Sequence, residues 1–251
     1  MECPICKNTV ESFHPNSHIV PEWMYTDCYD KRHKVIEVQL KNEKILKRQK
    51  GLRGSFICTA CEKKTQIYDH YASLILTERS TNSPEYKKIK RHSYENRDQG
   101  ELLKYQKWEN IEFEKLQKFI LVTVLRTHFS GKMQGIRLTA RHEDRIRNIY
   151  IGNDVADDHS YPILIWKYEE GLLNDHVVLP YLRKSEGHHI FEFSSAGYMF
   201  NVFVSNHKKP QYARNLSLKK DGSLWLTDIK FIESRLFRSL HESAVKIGSR
   251  I

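Results

Sequence analysis

Two cysteine pairs restrict this chain more tightly than any other feature. The sequence opens MECPIC, and after residues 7–57 it returns to a second pair in FICTACEKK. A C-x-x-C turn presents two thiolates to one ion, and two such turns complete a tetrahedral shell. Cys3, Cys6, Cys58 and Cys61 are therefore the expected ligands of one structural Zn²⁺, with Lys7, Lys63 and Lys64 beside them to favour thiolate over thiol. Structural zinc contributes about 10–16 kcal/mol of apparent binding energy in small domains, enough to organise a segment with few core residues. The fifth cysteine, Cys28, is read as a small apolar side chain. An odd cysteine count and an N-terminus unlike a secretory leader argue against disulfides and for a reducing compartment, so the expected location is the cytoplasm.

Charge points to the partner. The 41 Lys and Arg exceed the 31 Asp and Glu, giving a net charge of +10 and a pI near 9.3. Such an excess favours a polyanion through counterion release, and nucleic acid, DNA or RNA, is the commonest such partner. No run of eighteen apolar residues occurs, so no membrane partner is expected. The basic residues concentrate between the two cysteine pairs, in DKRHKVIEVQLKNEKILKRQKGLRG. Lys31, Arg32, Lys34, Lys47, Arg48, Lys50 and Arg53 there suit phosphate contacts, which position a protein on nucleic acid without reading sequence.

The rest of the chain reads as α+β. Residues 1–79 form the cysteine-containing module, residues 80–112 a charged linker that is helical toward its end, and residues 113–251 a second domain. In that domain FEKLQKFILVTVLRTHF carries the three- and four-residue steps of a buried helix, and RLTARHEDRIRNIYIG a second helix with Arg137, Arg141, Arg145 and Arg147. Short β-rich runs follow: YPILIWKYE, HVVLPYL, HHIFEFSSAGYMFNVFV with a turn at Gly197, and SLWLTDI after the Asp221-Gly222 turn signal. They predict an antiparallel sheet in which Phe191, Phe193, Tyr198, Phe200 and Phe203 are core residues. A final amphipathic helix, FIESRLFRSLHESAVKIG, is capped at Gly248.

The order CPIC, then Ser17-His18-Ile19-Val20-Pro21, then ICTACE resembles the zinc-containing branch of the HNH endonucleases over about residues 3–75. That resemblance implies a ββα-metal fold, zinc-stabilised, in which His18 is the general base and a separate divalent ion, Mg²⁺ or Mn²⁺, polarises the scissile phosphate. The chain departs from the family pattern in three places. Ser17 stands where an acidic residue is common, the family's Asn ahead of the second pair is missing, and Glu62 stands where Asn or His is frequent. Glu62 is a better Mg²⁺ ligand than either. If KKTQIYDHYASLIL is helical, Asp69 falls two turns on along the same face, so Glu62 and Asp69 are expected to hold one ion between them, opposite His18.

The expected function is metal-dependent hydrolysis of phosphodiester bonds in DNA, with residues 113–251 recognising substrate or a protein partner. By analogy, a stand-alone protein of this kind resembles effectors of bacterial anti-phage or restriction-type systems. The alternative is a catalytically inactive zinc module that binds nucleic acid or a partner protein, with Ser17 and the missing Asn as marks of lost chemistry.

Overall fold

The computed structural model describes residues 1–39, 44–77, 80–98, 101–132, 137–169 and 176–230. The first cysteine pair sits in a turn closed by the Lys7 N–H on the Cys3 carbonyl (2.8 Å) and the Cys3 N–H on the Asn8 carbonyl (3.0 Å). Strand β1 (Ser17–His18) follows, then a 3-10 helical turn, Glu22–Cys28. The basic insert is a hairpin of β2 (Val35–Gln39) and β3 (Lys44–Arg48), after which β4 (Arg53–Gly54) returns to pair antiparallel with β1. The second cysteine pair opens helix α1 (Thr59–Leu76), covering the helix expected over this stretch.

Residues 80–112, expected as a linker, are instead structured. They form the short helix α2 (Pro84–Lys88) and two nine-residue strands, β5 (Lys90–Asp98) and β6 (Glu101–Glu109), at one margin of a seven-stranded sheet. A strand at a sheet edge protects its unpaired backbone with charged side chains, so the composition that suggested a linker suits an edge equally well. Trp108 is buried, and the Arg91 guanidinium lies over its ring at 4.5 Å while donating to the Ile75 carbonyl of α1.

Beyond this hairpin come α3 (Phe113–Ser130), α4 (Ala140–Ile151), β7 (Ile163–Tyr168), β8 (Val177–Ser185), β9 (His188–Ser195), β10 (Tyr198–Phe203), α5 (Gln211–Leu216) and β11 (Leu224–Ile229). The sheet order is β5-β6-β11-β7-β10-β9-β8, antiparallel except where β11 lies parallel to β7. The turns at Glu186-Gly187 and Ala196-Gly197 have both central residues at positive φ, the geometry whose twist suits tight hairpins. The mixed α+β architecture with a mostly antiparallel sheet agrees with the sequence reading. The C-terminal helix read over residues 231–248 lies outside the described residues.

Helix α3 is buried on nearly every side because it lies between the sheet and helices α1 and α4. Phe119 meets Phe200 of β10 edge-on at 6.2 Å, and Phe200 stacks on Phe193 at 4.7 Å. Each such ring contributes about 1.5–3 kcal/mol by leaving water. The apolar cluster is continuous from Ile5 and Ile19, beside the cysteines, to Leu226 in the sheet. The Ser195 hydroxyl of β9 also donates to the Met24 carbonyl at 2.9 Å, tying the sheet to the 3-10 turn. Thus the N-terminal segment borrows the core of the larger sheet. No described helix is long and apolar enough to cross a membrane.

Gly222 fixes the turn into β11. Its φ is +81°, and a Cβ there would lie 2.4 Å from the Ile111 carbonyl oxygen. Gly222→Ala should therefore cost more than about 1 kcal/mol in urea denaturation, from left-handed strain plus a backbone clash. Unchanged stability would contradict this account of the turn.

Candidate metal centre and the histidine beside it

The four expected thiols converge. Sγ atoms of Cys3, Cys6, Cys58 and Cys61 all lie within 4.8 Å of one another, with Cys3–Cys61 at 3.9 Å and Cys6–Cys58 at 3.8 Å. A tetrahedral zinc with Zn–S bonds of about 2.3 Å needs sulfurs about 3.8 Å apart, so the cage fits that ion. Cys58 is the N-cap of α1, and its sulfur accepts the Cys61 N–H at 3.4 Å. The Cys58 N–H in turn points to the Cys3 sulfur at 3.5 Å. Backbone N–H groups aimed at sulfur favour thiolate: burial alone would raise the Cys3 thiol, but the N–H groups of Cys6, Cys58 and Ile5 bring it down to about 7. Burial and the neighbouring sulfurs push Cys61 the other way, a conflict a divalent cation removes. Cys28 lies outside the cluster.

His18 stands next to this cage. The β1–β4 ladder pairs His18 with Arg53, and the first turn of α1 carries Glu62, immediately after Cys61. The His18 Nδ1 is 3.4 Å from Glu62 Oε1, and its Nε2 is 3.5 Å from Glu22 Oε2. Glu62 is only 3% exposed. Burial would raise its carboxyl, yet the bond to His18 and the charge of Arg126 outweigh that and hold it below the ordinary range. Glu22 is fixed by two donors, the Tyr29 hydroxyl at 2.5 Å and Arg53 Nη2 at 2.7 Å. Two atoms here are buried without a hydrogen-bond partner, His18 Nε2 and Glu62 Oε2.

Asp69 is placed differently from expectation. It does share the α1 face of Glu62, but Arg126 of α3 donates to both its oxygens, at 3.2 and 2.9 Å, and also to the Thr65 hydroxyl. Arg126 is fully buried. Burial raises the Asp69 carboxyl and the guanidinium opposes that rise; paired N–H···O bonds are what an ionised couple makes. Asp69 is therefore committed to a side-chain pair. Among the described residues, the four thiols are the only group of three or more His, Cys, Asp or Glu donors close enough to share an ion.

Compared with known proteins, the chain matches no family model, no curated protein and no solved structure. The site is thus read from its own geometry. Of the basic insert, Lys31, Arg32, Lys47 and Lys50 are exposed and Lys34 half-buried. Arg48 is engaged by Glu37 across the hairpin and Arg53 by Glu22, so these two serve the fold as well as the surface charge. Sequence reasoning missed Arg126 and Glu22. A single arginine inside the apolar run FILVTVLRTHF is a signal for a buried charge pair, and Glu22 lies at i+4 from His18.

Because Arg126 neutralises a buried carboxylate, Arg126→Ala should destabilise the protein by about 3–5 kcal/mol, and adding Asp69→Asn should recover part of that loss. Additive losses in a chemical-denaturation cycle would show that the pair is not coupled.

Proposed function

We propose that the protein is a metal-dependent endonuclease of the HNH kind, hydrolysing phosphodiester bonds in DNA. The observation that carries this reading is the His18 ring. It is held at Nδ1 by a buried carboxylate, with no hydrogen bond on Nε2, on a strand pair set against the helix that the cysteine cluster begins. With Nδ1 protonated toward Glu62, the lone pair resides on Nε2 and the ring cannot turn freely. A histidine fixed in one tautomer beside a carboxylate is suited to take a proton from water.

A zinc enclosed by four thiolates has no open position for substrate, so its role is architectural. A catalytic Mg²⁺ or Mn²⁺ is a separate requirement. Such ions bind through one or two carboxylates together with substrate phosphate. Glu62, with its bare Oε2, fits that demand, whereas Glu22 and Asp69 already accept hydrogen bonds at both oxygens. Glu22, Glu62 and Asp69 set three negative charges against Arg53 and Arg126, leaving a net charge that attracts a cation when His18 is neutral. When bound, the ion would supply Lewis-acid stabilisation at the scissile phosphate. Lys31, Arg32, Lys47 and Lys50 on the β2–β3 side offer charge for the DNA backbone.

A second reading, a zinc module that binds nucleic acid or a protein without cutting, is favoured by one specific feature. Glu22 covers His18 Nε2, and no further set of three donors is assembled among the described residues.

Nicking of supercoiled plasmid in Mg²⁺ or Mn²⁺ separates the two. Wild-type protein should nick, and His18→Ala should lose about 10²–10⁴-fold in rate, as expected for a lost general base, while binding DNA as before. If wild type cuts nothing with either ion, or His18→Ala cuts equally well, the nuclease reading fails and the binding module replaces it.

A further inference from the structure

A second site lies at the N-terminal end of α4, and it shares no residue with the cysteine cage or the His18 site. The N-terminal turns of α4, the loop before β7 and the loop after β10 enclose a cavity of about 200 Å³. Three cations line it: Arg141 and Arg145, one turn apart on α4, and Lys209 from the loop. Among the described residues, neither Arg141 nor Lys209 has a carboxylate within ion-pair distance. Arg145 alone is shared, with Asp154 at 3.6 Å and Asp157 at 3.5 Å.

The rest of the lining is preorganised. Lys209 Nζ donates to the Ser205 and His207 carbonyls, so two of its three donors are satisfied and fix the ammonium, leaving the third for a ligand. His142 is buried and bonded through Nδ1 to the Tyr161 hydroxyl at 3.1 Å. Burial first, and then the charges of Lys209, Arg141 and Arg145, hold it below its ordinary pKa, in keeping with a strongly positive cavity. Thr139 provides no side-chain cap to the twelve-residue α4, whose N-terminus adds partial positive charge at the same end, while Glu143 of the first turn is engaged by His128 at 3.0 Å.

We infer that this cavity binds a phosphate monoester. Its ligand must be anionic to repay the crowding of three cations, and it must offer several oxygens, since two guanidinium forks from α4 and an ammonium from the loop after β10 converge on it. It must also be compact, because the cavity is smaller than the roughly 300–1,000 Å³ of clefts that enclose a drug-sized molecule. A terminal phosphate meets all three conditions. The group is carried either by a free nucleotide or by the 5′ end of a nucleic acid strand, with the remainder of the molecule outside the cavity.

Calorimetric titration of the full chain tests this, with adenosine 5′-monophosphate, adenosine, and a short oligonucleotide bearing either a 5′-phosphate or a 5′-hydroxyl, all at matched ionic strength. The monophosphate should bind with Kd below about 1 mM while adenosine does not. Lys209→Gln and Arg141→Gln should each weaken binding by about tenfold, the loss of one charge-assisted contact. Arg141 is exposed and serves as the variant least able to disturb folding. A phosphorylated oligonucleotide binding at least as tightly as the nucleotide, and its hydroxyl twin more weakly, identifies a strand end as the source; preference for the nucleotide identifies the free ligand. Monophosphate binding no better than adenosine, or both variants binding as wild type, overturns the inference. The cavity shares no residue with the His18 site, so this result and the plasmid assay succeed or fail separately.

Discussion

Four sulfurs meeting within 4.8 Å are the contact on which the N-terminal third depends. The pairs come from opposite ends of a long excursion through the 3-10 turn and the basic hairpin, and closing it costs conformational entropy that packing of Ile5, Ile19, Val20 and Ile57 on the larger core helps offset. A metal held by the four thiolates would add folding free energy to that closure. It also fixes direction. Cys58 caps α1, Cys61 is one residue from Glu62, and the β1–β4 ladder is delivered to the same end of the helix. His18 meets Glu62 because the cage sets the register between strand and helix.

A second buried charge system ties this end to the sheet. Arg126 reaches from the C-terminal half of α3, just past its apolar run, to Asp69 and Thr65 on α1. Its charge also acts on Glu62. The helix that forms the floor of the sheet's core therefore helps set the electrostatics of the histidine site. The dependence runs the other way as well, since Tyr150 of α4 donates to the Cys61 carbonyl and Lys64 of α1 to the Ile151 carbonyl.

What the sequence made legible was local in origin. The C-x-x-C spacing picked out the four thiols that converge, the helical steps in FEKLQKFILVTVL specified α3, and Gly197 marked the hairpin between β9 and β10. What it concealed required knowledge of distant neighbours. KRHSYENRD and ELLKYQKWE look like linker because an edge hairpin is polar on much of its surface; only the pairing with β11 reveals it as sheet. Asp69 was readable as a helix-face neighbour of Glu62, yet its use depends on an arginine fifty-seven residues away. The cationic cavity was half visible in Arg141 and Arg145, while Lys209 arrives from a loop whose position no periodicity encodes.

The placing of His18 against Glu62 rests on one coordination claim, and zinc K-edge X-ray absorption on the purified full chain tests it most directly. The account predicts one ion per chain with four sulfur neighbours at about 2.3 Å and no nitrogen or oxygen in the first shell. Fewer than four sulfurs, a histidine ligand, or no bound zinc would contradict it.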